Sequence, residues 1–130
     1  MNYENTILAM GGMAVLMLIQ LIVADVVGVK VKHPPGSAVP SDHNSGLFRA
    51  TRTMANTNES IAIFILAVLF CIYSNASPVH TAYAAWGFVT ARVGYAVCYY
   101  GNVKLLRSVL FGISLLFLLA LLVIGIIVWL

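Results

Sequence analysis

Four long apolar stretches divide the 130-residue chain, over about 6–29, 47–74, 78–100 and 105–130. An α-helix rises 1.5 Å per residue, so about 20 residues cross a hydrocarbon layer of roughly 30 Å. Each stretch is long enough. Within lipid every backbone N–H and C=O must be paired inside the protein, which leaves helices or closed barrel strands. The run 115–122 shows no in-and-out alternation, so helices are predicted. The expected fold is an all-α integral membrane protein: a four-transmembrane-helix bundle forming one domain over 1–130.

The connections are short. Asn75-Ala76-Ser77-Pro78 reads as a turn, with Ser77 as N-cap and Pro78 at the first helical position. Gly101-Asn102 separates the third stretch from the fourth. The longest connection, 30–46, holds Pro34, Pro35 and Pro40. No internal repeat or low-complexity tract stands out.

Composition narrows the class. Hydrophobic residues make up 62% and charged residues 8%, whereas soluble domains run at about 45–50% and about 25%. A water-soluble enzyme, a disordered tail and a disulfide scaffold are excluded. The net charge of +3 comes without a basic run interleaved with aromatics, so no nucleic-acid partner is expected. Cys71 and Cys98 lie in apolar stretches and read as small core residues. The first stretch is expected to stay in the mature protein, because no basic residue precedes it and no cleavage site follows.

Charge placement predicts orientation. Lys30, Lys32, Arg49, Arg52, Arg92, Lys104 and Arg107 all fall in the first and third connections or toward that end of a helix. The positive-inside rule puts those connections in the cytoplasm and both termini outside.

The second stretch carries the main chemical signal. Its uninterrupted apolar run, 61–73, covers 13 residues, only about 20 Å of helix. Asn56 and Glu59 must then lie within the membrane thickness, with Arg52 at its edge. A charge at the bilayer centre costs roughly 2.5–3.5 kcal/mol, while an apolar residue returns about 0.3–0.6 kcal/mol. This half of the helix must face protein or water. Arg49, Arg52, Asn56 and Glu59 fall within roughly an 80° sector at helical spacing. Arg92, Tyr95 and Tyr99 form a second stripe on the third helix. Two stripes at matching depth point to one shared cavity open to the cytoplasm.

Plainer readings stand beside this one. Arg52 and Glu59 could simply lock helix packing, Arg49 could snorkel to the headgroups, and Tyr95, Tyr99 and Tyr100 could be interfacial belt aromatics. Asp25, near the end of the first helix, is equally balanced between the two. His33, His43 and His80 show no metal-ligand spacing and are assigned no site, and no metal is expected. Guanidinium forks, a carboxylate, an amide and two phenols suit a small zwitterion with excess negative charge.

The string Arg49-Ala-Thr-Arg52-Thr-Met-Ala-Asn56-Thr-Asn-Glu59 resembles the helix-two signature of the MAPEG family, the membrane-associated proteins of eicosanoid and glutathione metabolism. Ala91-Arg92-Val-Gly-Tyr95-Ala-Val-Cys-Tyr99, followed by Arg107, resembles that family's segment from helix three to helix four. Prokaryotic members, similar to the microsomal glutathione transferases, are the nearer likeness. The resemblance implies a homotrimer in the bacterial inner membrane, with glutathione as co-substrate bound between subunits near the cytoplasmic side. Arg49, Arg52, Asn56, Glu59, Arg92, Tyr95 and Tyr99 would hold the peptide, and Arg107 would stabilise its thiolate. The implied reaction is addition of that thiolate to a lipophilic electrophile arriving from the bilayer, with peroxidase activity toward lipid hydroperoxides as an extension.

The chain departs from the family pattern in places. No proline follows Glu59 closely, Met54 is apolar where some members are polar, and Lys104 competes with Arg107 for the thiolate role. Two rival functions follow: a glutathione-binding member without catalysis, and a small multidrug exporter. Exporters of that kind centre on a carboxylate embedded in helix one, where this chain has only Gln20 mid-span and Asp25 near the end.

Overall fold

The computed structural model describes residues 2–130, which form four helices: α1 Glu4–Lys30, α2 Gly46–Tyr73, α3 Pro78–Tyr100 and α4 Lys104–Ile127. Local chemistry sets their ends. The Ser45 and Ser77 hydroxyls accept from the N–H groups of Phe48 and His80, capping α2 and α3, and Pro78 opens α3 where a missing N–H costs nothing. Three helices terminate alike. Lys32, Asn75 and Asn102 take φ of 56°, 55° and 58°. The residues that follow, His33, Ala76 and Val103, donate back to Gly28, Cys71 and Cys98 carbonyls at 2.9, 3.0 and 2.8 Å. These are Schellman-type closures, and asparagine tolerates the left-handed position better than most residues.

The helices run up and down, but not as a square. α1 packs on α2 and α3, and α4 packs on α3 and α2; α1 and α4 do not pack together. The α2–α3 pair is therefore the centre of the bundle. Phe64 of α2 and Phe88 of α3 stack there with ring centroids 4.6 Å apart, both fully enclosed. α3 and α4 approach closely through glycine. A Cβ on Gly87 would collide with the Phe117 ring, and one on Gly94 would press on Leu110. Small residues at a helix interface allow this approach.

Large apolar side chains cover the outside, among them Leu8, Leu66 and Leu116. A water-soluble surface does not tolerate so continuous an apolar skin. α1, α2 and α4 are each long and apolar enough to cross a membrane. α3 has the length, with 23 residues, and packs against all three other helices. α4 stops at Ile127 rather than continuing to Leu130. Beyond it, Trp129 Nε1 donates to Ser74 Oγ at 2.9 Å, and Tyr3 Oη donates to the Ala76 carbonyl. The end of the bundle without basic residues is thus tied shut by two aromatic side chains.

Candidate functional site

At the opposite, basic end, α2, α3 and α4 form an open recess of about 240 Å³. Arg52 and Asn56 of α2, Tyr95 and Tyr99 of α3, and Arg107, Ser108 and Phe111 of α4 line it. Helical spacing explains the first four: each pair recurs at i, i+4 on one face. On α4, Phe111 follows Arg107 by one turn, so α4 contributes a cation and a ring to the same wall.

Arg92 is the central scaffold. Its side chain is wholly enclosed, and Nη2 donates to Asn56 Oδ1 at 2.7 Å and to Thr57 Oγ1 at 3.0 Å. Its guanidinium carbon stands 4.3 Å from the centroid of the Tyr95 ring. A buried guanidinium is costly unless its donors are engaged. Here two α2 acceptors engage Nη2 and a ring face meets the guanidinium, while Nε and Nη1 are buried without a partner among the described residues. Asn56 Oδ1 is thereby occupied from behind. The Asn56 amide N–H₂ is the group left to face a ligand.

Arg52 Nη1 and Glu59 Oε1 pair at 2.9 Å, about two turns apart along α2, with side chains 37% and 60% exposed. Glu59 does not line the cavity; it lies on the outer flank of the Arg52 head. The Arg107 guanidinium lies over the Tyr99 ring at 4.3 Å, and its Nη1 is buried without a hydrogen-bond partner among the described residues. Tyr95 and Tyr99 meet edge to face at 5.5 Å. Two guanidiniums in one small recess give it a positive potential that draws anions.

The predicted residues thus separate. Arg52, Asn56, Tyr95, Tyr99 and Arg107 share the cavity. Arg92 stands behind it and Glu59 beside it. Arg49 is placed elsewhere. Its Nε donates to the Tyr100 carbonyl at 3.2 Å and its Nη1 to the His43 carbonyl at 2.8 Å. It pins the α1–α2 connection to the end of α3. Of the two basic residues weighed on α4, Arg107 faces the cavity and Lys104 is exposed at the helix start. Met54 lines a different and larger cavity of about 470 Å³, with Asp25 and His33, between α1 and the start of α2.

Four residues escaped the sequence reading. Thr57 adjoins Asn56, and its hydroxyl gave no periodic signal. Phe111 was accessible in principle, one turn beyond Arg107. Ser108 was not distinguished from any other serine. His43, which has no metal-ligand spacing in the sequence, stands beside the site: its Nε2 lies 3.1 Å from Tyr99 Oη, and the two rings stack at 5.9 Å. It reaches α3 from a connection 56 residues away in sequence, a contact no local pattern encodes.

Comparison with known proteins supports the motif reading. No curated protein matches the chain. The model of the MAPEG family matches residues 6–127, from the first turn of α1 to the last residue of α4, so it takes in both polar stripes and Arg107. With the match running through all four helices of an apolar-skinned bundle, the chain belongs to the MAPEG family, whose members include glutathione transferases.

Proposed function

We propose that this protein is a membrane-bound glutathione transferase, with peroxidase activity toward lipid hydroperoxides as a second use of the same site. The observation that carries the reading is the pair of guanidiniums, Arg52 and Arg107, turned into one recess with Asn56, Tyr95 and Tyr99. Glutathione has two carboxylates, one ammonium group and one thiol. Arg52 offers a carboxylate fork, Glu59 an ammonium acceptor, and Asn56 an amide donor for a peptide carbonyl. Arg107 supplies the positive charge for the thiolate. An ordinary thiol has a pKa of about 8.5, and a nearby cation lowers it. The thiolate then attacks an electrophile entering from the bilayer, aided by proximity and charge stabilisation.

The working unit is a homotrimer with glutathione at the subunit boundary. Two features support this. Small-molecule pockets usually measure roughly 300–1,000 Å³, and the cavity of one chain, at about 240 Å³, is smaller. The Glu59 carboxylate is 60% exposed at a depth where lipid would otherwise meet it. A neighbouring subunit would enlarge the first and cover the second. The basic end faces the cytoplasm, by the distribution of Lys and Arg, and the membrane is the bacterial inner membrane. The exporter alternative finds little support, because mid-span α1 offers the buried amide of Gln20 rather than a carboxylate.

Calorimetric titration of glutathione into detergent-purified protein tests the proposal, with Glu59→Gln as control. Binding that the substitution weakens tenfold or more is expected. No binding to folded wild-type protein would remove the transferase reading. Binding without turnover against any electrophile would leave a glutathione-binding protein.

A further inference from the structure

We infer that His43 is the proton outlet of the site, accepting through Tyr99 the proton that glutathione loses when its thiolate forms. The inference rests on the glutathione reading above and adds to it a residue outside the cavity wall.

His43 is held, not merely nearby. Its ring packs edge-on against Phe48 at 4.9 Å and stacks on Tyr99 at 5.9 Å. Its backbone carbonyl accepts from Arg49 Nη1 at 2.8 Å. Arg49 in turn holds the Tyr100 carbonyl at 3.2 Å, the residue next to Tyr99. One side chain therefore ties the His43 backbone to the end of α3, next to Tyr99. These anchors place Nε2 3.1 Å from Tyr99 Oη. The tyrosine is buried and lines the cavity, while the histidine is exposed to solvent. The pair thus joins the recess to the exposed α1–α2 connection at the basic end.

The charged and amide groups at the recess do not take up that proton. Arg107 and Arg52 favour an anion in it but neither can take up a proton, since guanidinium stays protonated in proteins. Asn56 cannot take one either. Glu59 is engaged by Arg52 and lies outside the wall. Imidazole is the side chain suited to accept and release a proton near neutral pH. In the tautomer protonated at Nδ1, Nε2 accepts the Tyr99 hydroxyl. The thiol S–H bond breaks and its proton passes to Tyr99 Oη. The phenolic proton of Tyr99 passes to His43 Nε2 in the same event. The products are a thiolate beside Arg107, a neutral tyrosine and an imidazolium. The charged groups around His43 decide what happens next. Arg49 at its carbonyl and Arg107 across the Tyr99 ring both repel the imidazolium. The Asp42 carboxylate, which accepts from the Asn44 N–H at 3.0 Å, lies on the solvent side. The proton leaves to water.

The test is stopped-flow absorbance of thiolate formation on mixing glutathione with purified protein, from pH 6 to 9, for wild type, His43→Ala, His43→Gln and Tyr99→Phe. Calorimetry gives the dissociation constants alongside. Thiolate formation is expected to slow about a hundredfold in all three variants, in the range positioned acid–base groups contribute. Glutathione affinity of the two His43 variants should stay within about threefold. Added imidazole should restore the rate of His43→Ala, and glutamine, which keeps the hydrogen bond but carries no proton, should not substitute for histidine. An unchanged rate and pH profile would overturn the inference. So would joint loss of affinity and rate without imidazole rescue, the mark of a structural role. If wild type binds no glutathione, the proposed function itself fails and the relay with it; if wild type binds and forms thiolate while His43 variants match it, only the relay fails.

Discussion

Arg107 lies across the face of Tyr99, its guanidinium carbon 4.3 Å from the ring centroid, with one terminal nitrogen buried and unbonded among the described residues. The ring holds the cation in place without consuming its donors. A guanidinium paired with a carboxylate would be neutralised; one stacked on an aromatic face keeps both its charge and its N–H groups for a ligand.

Arg107→Ala should therefore leave glutathione binding within about threefold while the bound thiol returns toward its ordinary pKa of about 8.5. Thiolate absorbance at neutral pH should disappear. Arg107→Lys should keep part of it, since an ammonium supplies charge but loses the stacked geometry. Undiminished thiolate in Arg107→Ala would show that another cation does the work.

Arg92 and Asn56 should behave as one unit. Arg92→Met removes the donor to Asn56 Oδ1 and Thr57 Oγ1, and each acceptor left unpaired costs about 1–3 kcal/mol. Thermal unfolding in detergent should shift down clearly, and glutathione binding should weaken because the amide is no longer oriented. A double-mutant cycle with Asn56→Ala should return a coupling of roughly 0.5–3 kcal/mol. Additive losses would separate the two residues.

The Arg52–Glu59 pair is half exposed, and such pairs contribute about 0–1 kcal/mol to stability. Glu59→Gln should leave the unfolding temperature nearly unchanged yet cut glutathione affinity tenfold or more. A large loss of stability with affinity preserved would assign the pair to packing instead.

Gly87 governs how closely α3 meets α4. Gly87→Ala forces a Cβ into the Phe117 ring, and overpacking of this kind costs about 1–3 kcal/mol. The unfolding temperature should fall, and Phe117→Leu in the same chain should recover part of it. A neutral Gly87→Ala would mean the helices separate freely.

Much of the bundle is legible in the residue order. Apolar runs of spanning length, Ser77-Pro78 at a helix start and Asn102 just past a helix end all act over a turn or less, so they can be read without neighbours. The same holds for the stripe of Arg52 and Asn56, because helical periodicity fixes which side chains share a face. Family membership was legible too, since the paired motifs occur in order along one chain.

What a shared face meets is another matter, and only packing decides it. Arg92, Tyr95 and Tyr99 form one stripe, yet Arg92 is taken up by Asn56 and Thr57 of α2 while the tyrosines line the recess. Arg49 shares a sector with Arg52 but sits a turn lower, beside the carbonyls that end α3, and is taken up by them. His43 reaches Tyr99 through a connection whose course follows from where its ends are held, not from any repeat within it. Sequence alone determined the helices, their polar faces and the basic end of this protein. Which polar groups converge, which are spent on backbone and which stay free for a ligand was decided by tertiary structure, since a side chain's partners depend on the positions of helices distant in sequence.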